Sequence, residues 1–169
     1  MNPSIRLRRF HPGDAPELFL LFRETVQTVN AADYSPQQIA AWASNSIDLA
    51  AWTARFSQRW AYVAVCNDRT VGFADMTPAG YLDRLFVSAH YQRQGVARAL
   101  LQTLLEHAQS AQLSLVSTDA SRTAVPFFQA FEFQIVRAQN VECRGEVLKN
   151  FHMTRSLGQP VLSPLARSE

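Results

Sequence analysis

A loop between a predicted strand and a predicted long helix carries the residues of this sequence that are best suited to chemistry. The strand covers 81–87, the loop ends at 92–97 in Gln-Arg-Gln-Gly-Val-Ala, and the helix covers 95–110. The first N–H groups of a helix have no acceptor within the helix, and the helix dipole places partial positive charge beside them. Gly95 and Ala97 are small enough for a pyrophosphate to approach this backbone closely. The spacing therefore predicts an anion site at the start of the helix.

Side chains around the loop add hydrogen-bond donors to this anion site. Gln92, Arg93 and Arg98 flank the glycine and could each donate to a phosphate oxygen. No Gly-Lys-Ser/Thr follows, so the loop is not a Walker loop, and its spacing is not that of the Gly-x-Gly-x-x-Gly dinucleotide turn. The sequence thus predicts phosphate binding of a different kind from these two patterns.

The elements that position this loop form one predicted α/β domain over 1–156, followed by a loose tail over 157–169. Alternating or continuous apolar runs predict strands, and a three-and-four spacing of apolar residues predicts amphipathic helices. The predicted strands cover 5–10, 60–65, 70–75, 81–87, 113–116, 133–141 and 147–153, and the predicted helices cover 15–29, 35–44, 48–57, 95–110 and 121–131. This order predicts a mixed sheet that is mainly antiparallel, with a crossover helix in the middle.

Charge and composition argue against several classes of function. With 16 Lys+Arg against 14 Asp+Glu, the net charge of +2 over 169 residues predicts no general electrostatic binding of nucleic acid or of a membrane surface. No apolar run approaches the ~18 residues of a membrane span, and the Arg-rich N-terminus lacks the apolar centre of a signal peptide. Cys66 and Cys143 stand without metal-ligand spacing. The sequence therefore predicts a cytoplasmic protein with no metal site.

Several of these residues carry a resemblance to a known family. Gln-x-x-Gly-x-Ala after a strand that ends in Leu-Phe-Val is similar to the acyl-CoA signature Arg/Gln-x-x-Gly-x-Gly/Ala of the GNAT N-acetyltransferase superfamily. A later helix with Phe127 and Phe128, an aromatic strand start at Phe133, and the order of elements resemble the same superfamily. Strings such as Tyr34-Ser-Pro-Gln-Gln-Ile resemble its YafP-type branch. The resemblance implies a mixed, mostly antiparallel sheet with a V-shaped splay, flanked by helices.

The resemblance also implies a place for each part of acetyl-CoA as co-substrate. The backbone of Leu85, Phe86 and Val87 would lie along the pantetheine arm like an added strand, and the Val87 N–H would stabilise the tetrahedral oxyanion. Ser121 stands where many members place an asparagine that bonds the pantetheine. The residues implied to surround the pyrophosphate and the outer phosphates are Gln92, Arg93, Gln94, Gly95, Val96, Ala97 and Arg98.

Transfer of the acetyl group directly to an amine requires a base for the amine and a proton for the departing thiolate. Asp83 is the candidate base, because alternation along the strand places it on the same face as Leu85 and Val87, beside the implied cleft. Burial there would raise its pKa toward a useful value. The alternative is a structural carboxylate that pairs with an arginine, such as Arg84 or one from another segment of the chain.

The proton donor is where this sequence departs from the family pattern. Many members have a tyrosine at the helix position that Phe128 occupies here, and a phenyl ring cannot donate a proton. We therefore expect Phe128 to pack against the pantetheine or the core. Tyr81, a water molecule, or release of the free thiolate are the alternatives for this step.

Candidates for the acceptor site are Tyr34, Asp83 and His152, the last on a strand whose face could line the acceptor groove. For His152 a structural role is the alternative. Ser117 and Asp119 follow the predicted central strand, where open α/β sheets often present functional groups. They are equally compatible with capping of a loop and with a place in the site.

The sequence thus predicts an N-acetyltransferase that acts on a primary amine of a small molecule. One alternative is acetylation of a protein N-terminus or lysine, which would need a longer open groove. The other is a CoA-binding accessory protein without catalysis, suggested by Phe128. The oligomeric state is left open, although homodimers are common for this fold.

Overall fold

The computed structural model describes residues 4–158, so residues 159–169 of the predicted tail lie outside the described part of the chain. Its strands are β1 Ile5–Arg9, β2 Trp60–Cys66, β3 Arg69–Met76, β4 Tyr81–Val87, β5 Leu115–Ser121, β6 Gln134–Cys143 and β7 Glu146–Ser156. Its α-helices are α1 Ala15–Thr28, α2 Pro36–Trp42, α3 Leu49–Ala54, α4 Val96–Ser110 and α5 Val125–Ala130. The predicted order of strands and helices is confirmed.

Within residues 4–158, seven strands form one sheet in the order β1-β2-β3-β4-β5-β7-β6. Neighbouring strands are antiparallel except β4 and β5, which run parallel because the chain crosses between them through α4. The β4–β5 pairing is short, with Tyr81 opposite Ser117 and Leu82 opposite Thr118. Beyond these two pairs the strands separate. The predicted mixed sheet with a V-shaped splay and flanking helices is therefore confirmed.

The two faces of the sheet bury two separate cores. Helix α4 covers one face with Leu100, Leu101 and Leu104, which are fully buried against strand residues such as Val71. Helices α1, α2 and α3 cover the other face, in a second cluster. Its helix residues include Leu18, Phe22, Ile39 and Trp52, and its strand residues include Val63 and Phe73. None of the helices in the described range is both long and apolar enough to cross a bilayer.

The central strand β5 differs from its prediction. The apolar run predicted a strand over 113–116, whereas the observed strand is Leu115–Ser121. In this strand Val116, Thr118 and Ala120 are buried and alternate with the more exposed Ser117, Asp119 and Ser121. The polar residues that suggested a loop are therefore the side of the strand that faces away from the α4 core. As a result, Asp119 lies inside the strand rather than after it.

Strand β4 contains one extra residue. Asp75 of β3 lies opposite Arg84, but the next residue, Met76, lies opposite Leu82, so Asp83 has no partner in β3. Such a bulge breaks the alternation of side chains along a strand. Asp83 and Arg84 both contact residues at or near α3, while Leu85 packs on the α4 side. The prediction that Asp83 shares a face with Leu85 is therefore wrong.

Candidate active site

The separation of β4 and β5 opens a cleft of about 1170 Å³. Strand β4 forms one wall and strand β5 the other, and the start of α4, helix α5 and residues of α1 complete it. The strand residues along its walls are Leu82, Asp83, Leu85, Phe86, Val87, Thr118, Asp119, Ala120 and Ser121. Many of the residues predicted to bind a cofactor thus come together around one cavity.

The backbone at the start of α4 is open to this cleft. Gly95 caps the helix with φ 87°, a left-handed conformation that costs other residues about 1–2 kcal/mol. Arg93 also has a positive φ, 62°, so the chain turns sharply just before the helix. A Cβ placed on Gly95 would meet no atom within 4 Å. This arrangement leaves room for a phosphate against the first N–H groups of the helix.

The side chain of Gln92 holds the loop rather than extending toward an anion. Its Nε2 donates a hydrogen bond to the Val87 carbonyl oxygen at 2.6 Å. The Thr25 hydroxyl donates to the same oxygen at 3.4 Å. The end of β4 is therefore tied to α1 and to the loop that ends at 92–97, which we call the phosphate loop. Gln92 is thus not the free donor that was predicted.

The backbone of β4 presents polar groups to the cleft at alternate residues. The Ser88 N–H donates to the Val71 carbonyl at 2.9 Å, which makes Gly72 and Val87 a pair without mutual hydrogen bonds. By the same alternation, the N–H groups of Leu85 and Val87 face away from β3, toward the splay. The N–H group of Phe86 faces β3. Two of the three residues predicted to line a pantetheine arm thus offer their backbone edge to the cleft.

Asp83 is held by two guanidinium groups. Its Oδ2 accepts hydrogen bonds from Arg55 Nη2 and from Arg59 Nη1, both at 2.6 Å. Burial raises the pKa of Asp83, but the hydrogen bond from Arg59 and the charges of Arg55 and Arg84 outweigh burial and leave the pKa below its ordinary value. The prediction of a raised pKa is therefore wrong. Pairing with arginine, the alternative, is observed, and both partners come from another segment of the chain.

Arg59 connects Asp83 to a second, buried set of ion pairs in the core. Arg59 Nη1 also donates to Asp75 Oδ2 at 2.7 Å, and Arg84 Nε donates to Asp75 Oδ1 at 2.6 Å. Asp75 is completely buried. The Arg84 guanidinium lies 3.8 Å from the ring centre of Phe56, in a cation–π contact. Sequence reasoning missed this network, because its members come from three separated segments of the chain.

Across the cleft, a second carboxylate has different neighbours. Asp119 Oδ1 lies 2.7 Å from His152 Nδ1, and its Oδ2 accepts a hydrogen bond from the Tyr81 hydroxyl at 3.1 Å. Burial and then the charge of Asp119 raise the pKa of Tyr81 far above its usual range. A phenol of this kind keeps its proton, so the geometry does not favour Tyr81 as the donor to a thiolate.

Tyr34, predicted to bind the acceptor, is committed to backbone contacts. Its hydroxyl donates to the Lys149 carbonyl oxygen at 2.7 Å and accepts from the Arg122 N–H at 3.0 Å. The residue is buried, and its ring packs edge-on against Trp42, which itself lines the cleft. The structure thus gives the acceptor role no support at Tyr34 and connects it to the packing behind Trp42.

Phe128 and Ser121 also have partners within the protein. Phe128 is 3% exposed and packs in the α4 core with its ring centre 5.1 Å from that of Phe133, while one edge lines the cleft. Ser121 Oγ accepts from the Ala124 N–H at 3.2 Å and from Asn30 Nδ2 at 3.4 Å. Packing of Phe128 was one of the two expectations. The hydroxyl of Ser121 remains at the cleft wall.

One further polar group on this side was missed by sequence reasoning. Asn150 lies opposite Ser121 in the β5–β7 pairing, two residues from His152 and therefore on the same face of β7. Its Oδ1 is buried and accepts no hydrogen bond from any residue within 4–158. An acceptor atom without a donor is costly in a buried position.

Comparison with known proteins identifies the family. The family model described as "Acetyltransferase (GNAT) domain" matches residues 30–157. The chain is 41% identical over 150 residues to the "uncharacterized N-acetyltransferase YafP" of Escherichia coli K12, covering 89% of this chain and 95% of that protein. The chain belongs to the GNAT acetyltransferase family. It is thus an acyltransferase, and its predicted likeness to the YafP branch is confirmed.

Solved structures of GNAT proteins agree with the fold. A GCN5-related N-acetyltransferase from Rhodopseudomonas palustris superposes with a TM-score of 0.87 at 31% identity, covering 93% of this chain and 97% of that one. The PaiA N-acetyltransferase of Thermoplasma acidophilum, solved in complex with coenzyme A, superposes with a TM-score of 0.70 at 17% identity, covering 90% and 99%. At 17% identity, the match to the Thermoplasma protein shows a shared fold only.

Proposed function

We propose that this GNAT protein transfers the acetyl group of acetyl-CoA to a primary amine of a small molecule. The observation that carries the proposal is the cleft in which a free backbone edge of β4 leads to the open first turn of α4. Acetyl-CoA supplies the acetyl group as a thioester. The protein must bind acetyl-CoA and the amine next to each other and accept the proton that the amine loses.

The residues around the cleft fit the shape and charge of a CoA molecule. The first turn of α4 and the open side of Gly95 suit the pyrophosphate, with Arg93 and Arg98 nearby for the outer phosphates. The N–H groups of Leu85 and Val87 suit carbonyl oxygens along the pantetheine arm and at the thioester. A carbonyl oxygen that becomes an oxyanion there would accept from a fixed donor, which lowers the barrier.

The contacts of the β6–β7 hairpin with the helical layer support a small acceptor. Hydrogen bonds fasten the β6–β7 hairpin to α2 and the turn before it, and among them are those that join Tyr34 to Lys149, Gln38 to Val147, and Arg144 to Ala41. A partner that inserts between the hairpin and α2 would have to break these hydrogen bonds, which supports a small acceptor. A small amine can enter the cleft without opening them.

Calorimetric titration with acetyl-CoA tests the binding half of the proposal. Gly95→Glu places bulk and negative charge at the phosphate position and should abolish binding that the wild type shows. Gly158→Glu is the matched control, because Gly158 also has a positive φ, 78°, and an added Cβ there meets nothing within 4 Å. Equal loss in both variants, or absence of binding by the wild type, would contradict the proposed site.

A further inference from the structure

We propose that His152, oriented by Asp119, accepts the proton that the amine releases during acetyl transfer. The inference rests on the proposed function and assigns its missing base. Asp119 is a positioning residue here, and His152 is the group that contacts the acceptor.

The first observation behind this proposal is the position of Asp119 in the sheet. The β4–β5 pairing ends with Leu82 opposite Thr118, so Asp119 is the first residue of β5 beyond the point where the strands separate. Its carboxylate therefore lies at the apex of the V, where the cleft wall begins. Of the two N–H groups of β4 that face the cleft, that of Leu85 is the closer to this apex along the strand.

The register of the neighbouring strand brings His152 to the same point. In the β5–β7 pairing, Asp119 lies directly opposite His152, and the two side chains meet at 2.7 Å. With the carboxylate ionised, Nδ1 carries the proton and donates it to Oδ1, which leaves the lone pair on Nε2. The His152 side chain is 22% exposed and lies beside Asp119, which itself lines the cleft. A carboxylate in this position also stabilises the imidazolium that forms when Nε2 takes a proton.

The charged groups around this pair are few on the cleft side. Tyr81 of β4 bonds the second oxygen of Asp119 and stays neutral. Asp83 on the same strand is paired with Arg55 and Arg59, and with Asp75 and Arg84 these groups form a cluster of three arginines and two aspartates. On β6, the exposed Arg137 lies opposite His152 in the register. The helical layer contributes Asn30 and Trp42 to the cleft wall, and both are uncharged. His152 thus faces one carboxylate within hydrogen-bond distance.

The proton balance of the step is complete with these groups. His152 Nε2 takes one proton from the acceptor ammonium, which frees the nitrogen lone pair. The nitrogen then forms a bond to the thioester carbonyl carbon, and the π pair moves to oxygen. As the C=O bond re-forms, the C–S bond breaks with its pair on sulfur. The second N–H proton passes to the thiolate through solvent, and the imidazolium returns its proton to water. The products are the amide, CoA thiol and one proton.

The pH profile of transfer tests the assignment. The assay measures thiol release from acetyl-CoA with 2-phenylethylamine, spermidine and glycinamide as probe amines. We expect His152→Gln to lower kcat/KM by about 10²–10⁴-fold and to remove the inflection in the range where imidazoles titrate. Added imidazole should partly restore the activity of His152→Ala. A purely structural role would produce neither the lost inflection nor the rescue.

Controls separate failure of this inference from failure of the proposed function. His107→Gln, on the α4 side against Tyr62 and Trp60, should leave the profile unchanged. Affinity of His152→Gln for acetyl-CoA should equal that of the wild type, which also reports on folding. If the wild type transfers acetyl to a probe and His152→Gln keeps its rate and inflection, His152 is not the base and the function stands. If the wild type binds acetyl-CoA but transfers to no probe, both proposals are overturned.

Discussion

Two carboxylates of the cleft, Asp83 and Asp119, differ in their neighbours and therefore in what they can do. Asp83, in the bulge of β4, has two arginines at 2.6 Å and a lowered pKa. Asp119, on β5, has a histidine and a neutral tyrosine. The first is part of a network that reaches the buried Asp75, and the second contacts a group that can exchange a proton. We therefore regard Asp83 as structural and propose that proton transfer takes place beside Asp119.

The largest expected effect on stability lies on the β4 side. Asp75→Asn removes the negative charge that Arg84 and Arg59 share in a fully buried position. An unpaired buried charge costs about 3–5 kcal/mol, so the free energy of unfolding should fall by about that amount in urea denaturation. Asp68→Asn, in the exposed β2–β3 turn, is the matched control. A loss below about 1 kcal/mol would contradict a structural role for this network.

A smaller effect should appear in the pH dependence of stability. Because the pKa of Asp83 is lower in the folded protein, its contribution is present above the ordinary carboxylate value of 3.8 and is lost as the pH falls through the folded value. Half-exposed Arg55 is screened by water, so we expect Asp83→Asn to cost only about 1 kcal/mol at neutral pH.

Asp83→Asn should lose less stability than the wild type on acidification. Thermal denaturation measured between about pH 6 and pH 3 checks this. If the melting temperature fell equally with pH in both proteins, Asp83 would not gain its low pKa from folding. The contrast with Asp119 would then be weakened.

Local features of this molecule could be predicted from the sequence. The glycine loop and the long amphipathic helix that follows it depend on neighbouring residues, and both occur where they were predicted. Such features follow from short-range spacing, which the sequence contains in full.

Features that depend on pairing between strands could not be predicted. The bulge at Asp83 is set by the β3–β4 register, and no residue type near it indicates an extra residue. Asp119 and His152 are 33 positions apart and meet only through the β5–β7 register. Arg55 and Arg59 come from the segment after α3, which sequence reasoning had not connected to the site.

A side-by-side measurement of Asp119→Asn and Asp83→Asn tests the central contrast most directly. Both changes remove one charge and keep the size of the side chain, and both are assayed for kcat/KM with acetyl-CoA and the same probe amine. We expect Asp119→Asn to lose about 10²-fold, because His152 loses its orienting carboxylate, and Asp83→Asn to lose less than about 5-fold. A larger loss in Asp83→Asn than in Asp119→Asn would contradict the account and return the base to β4.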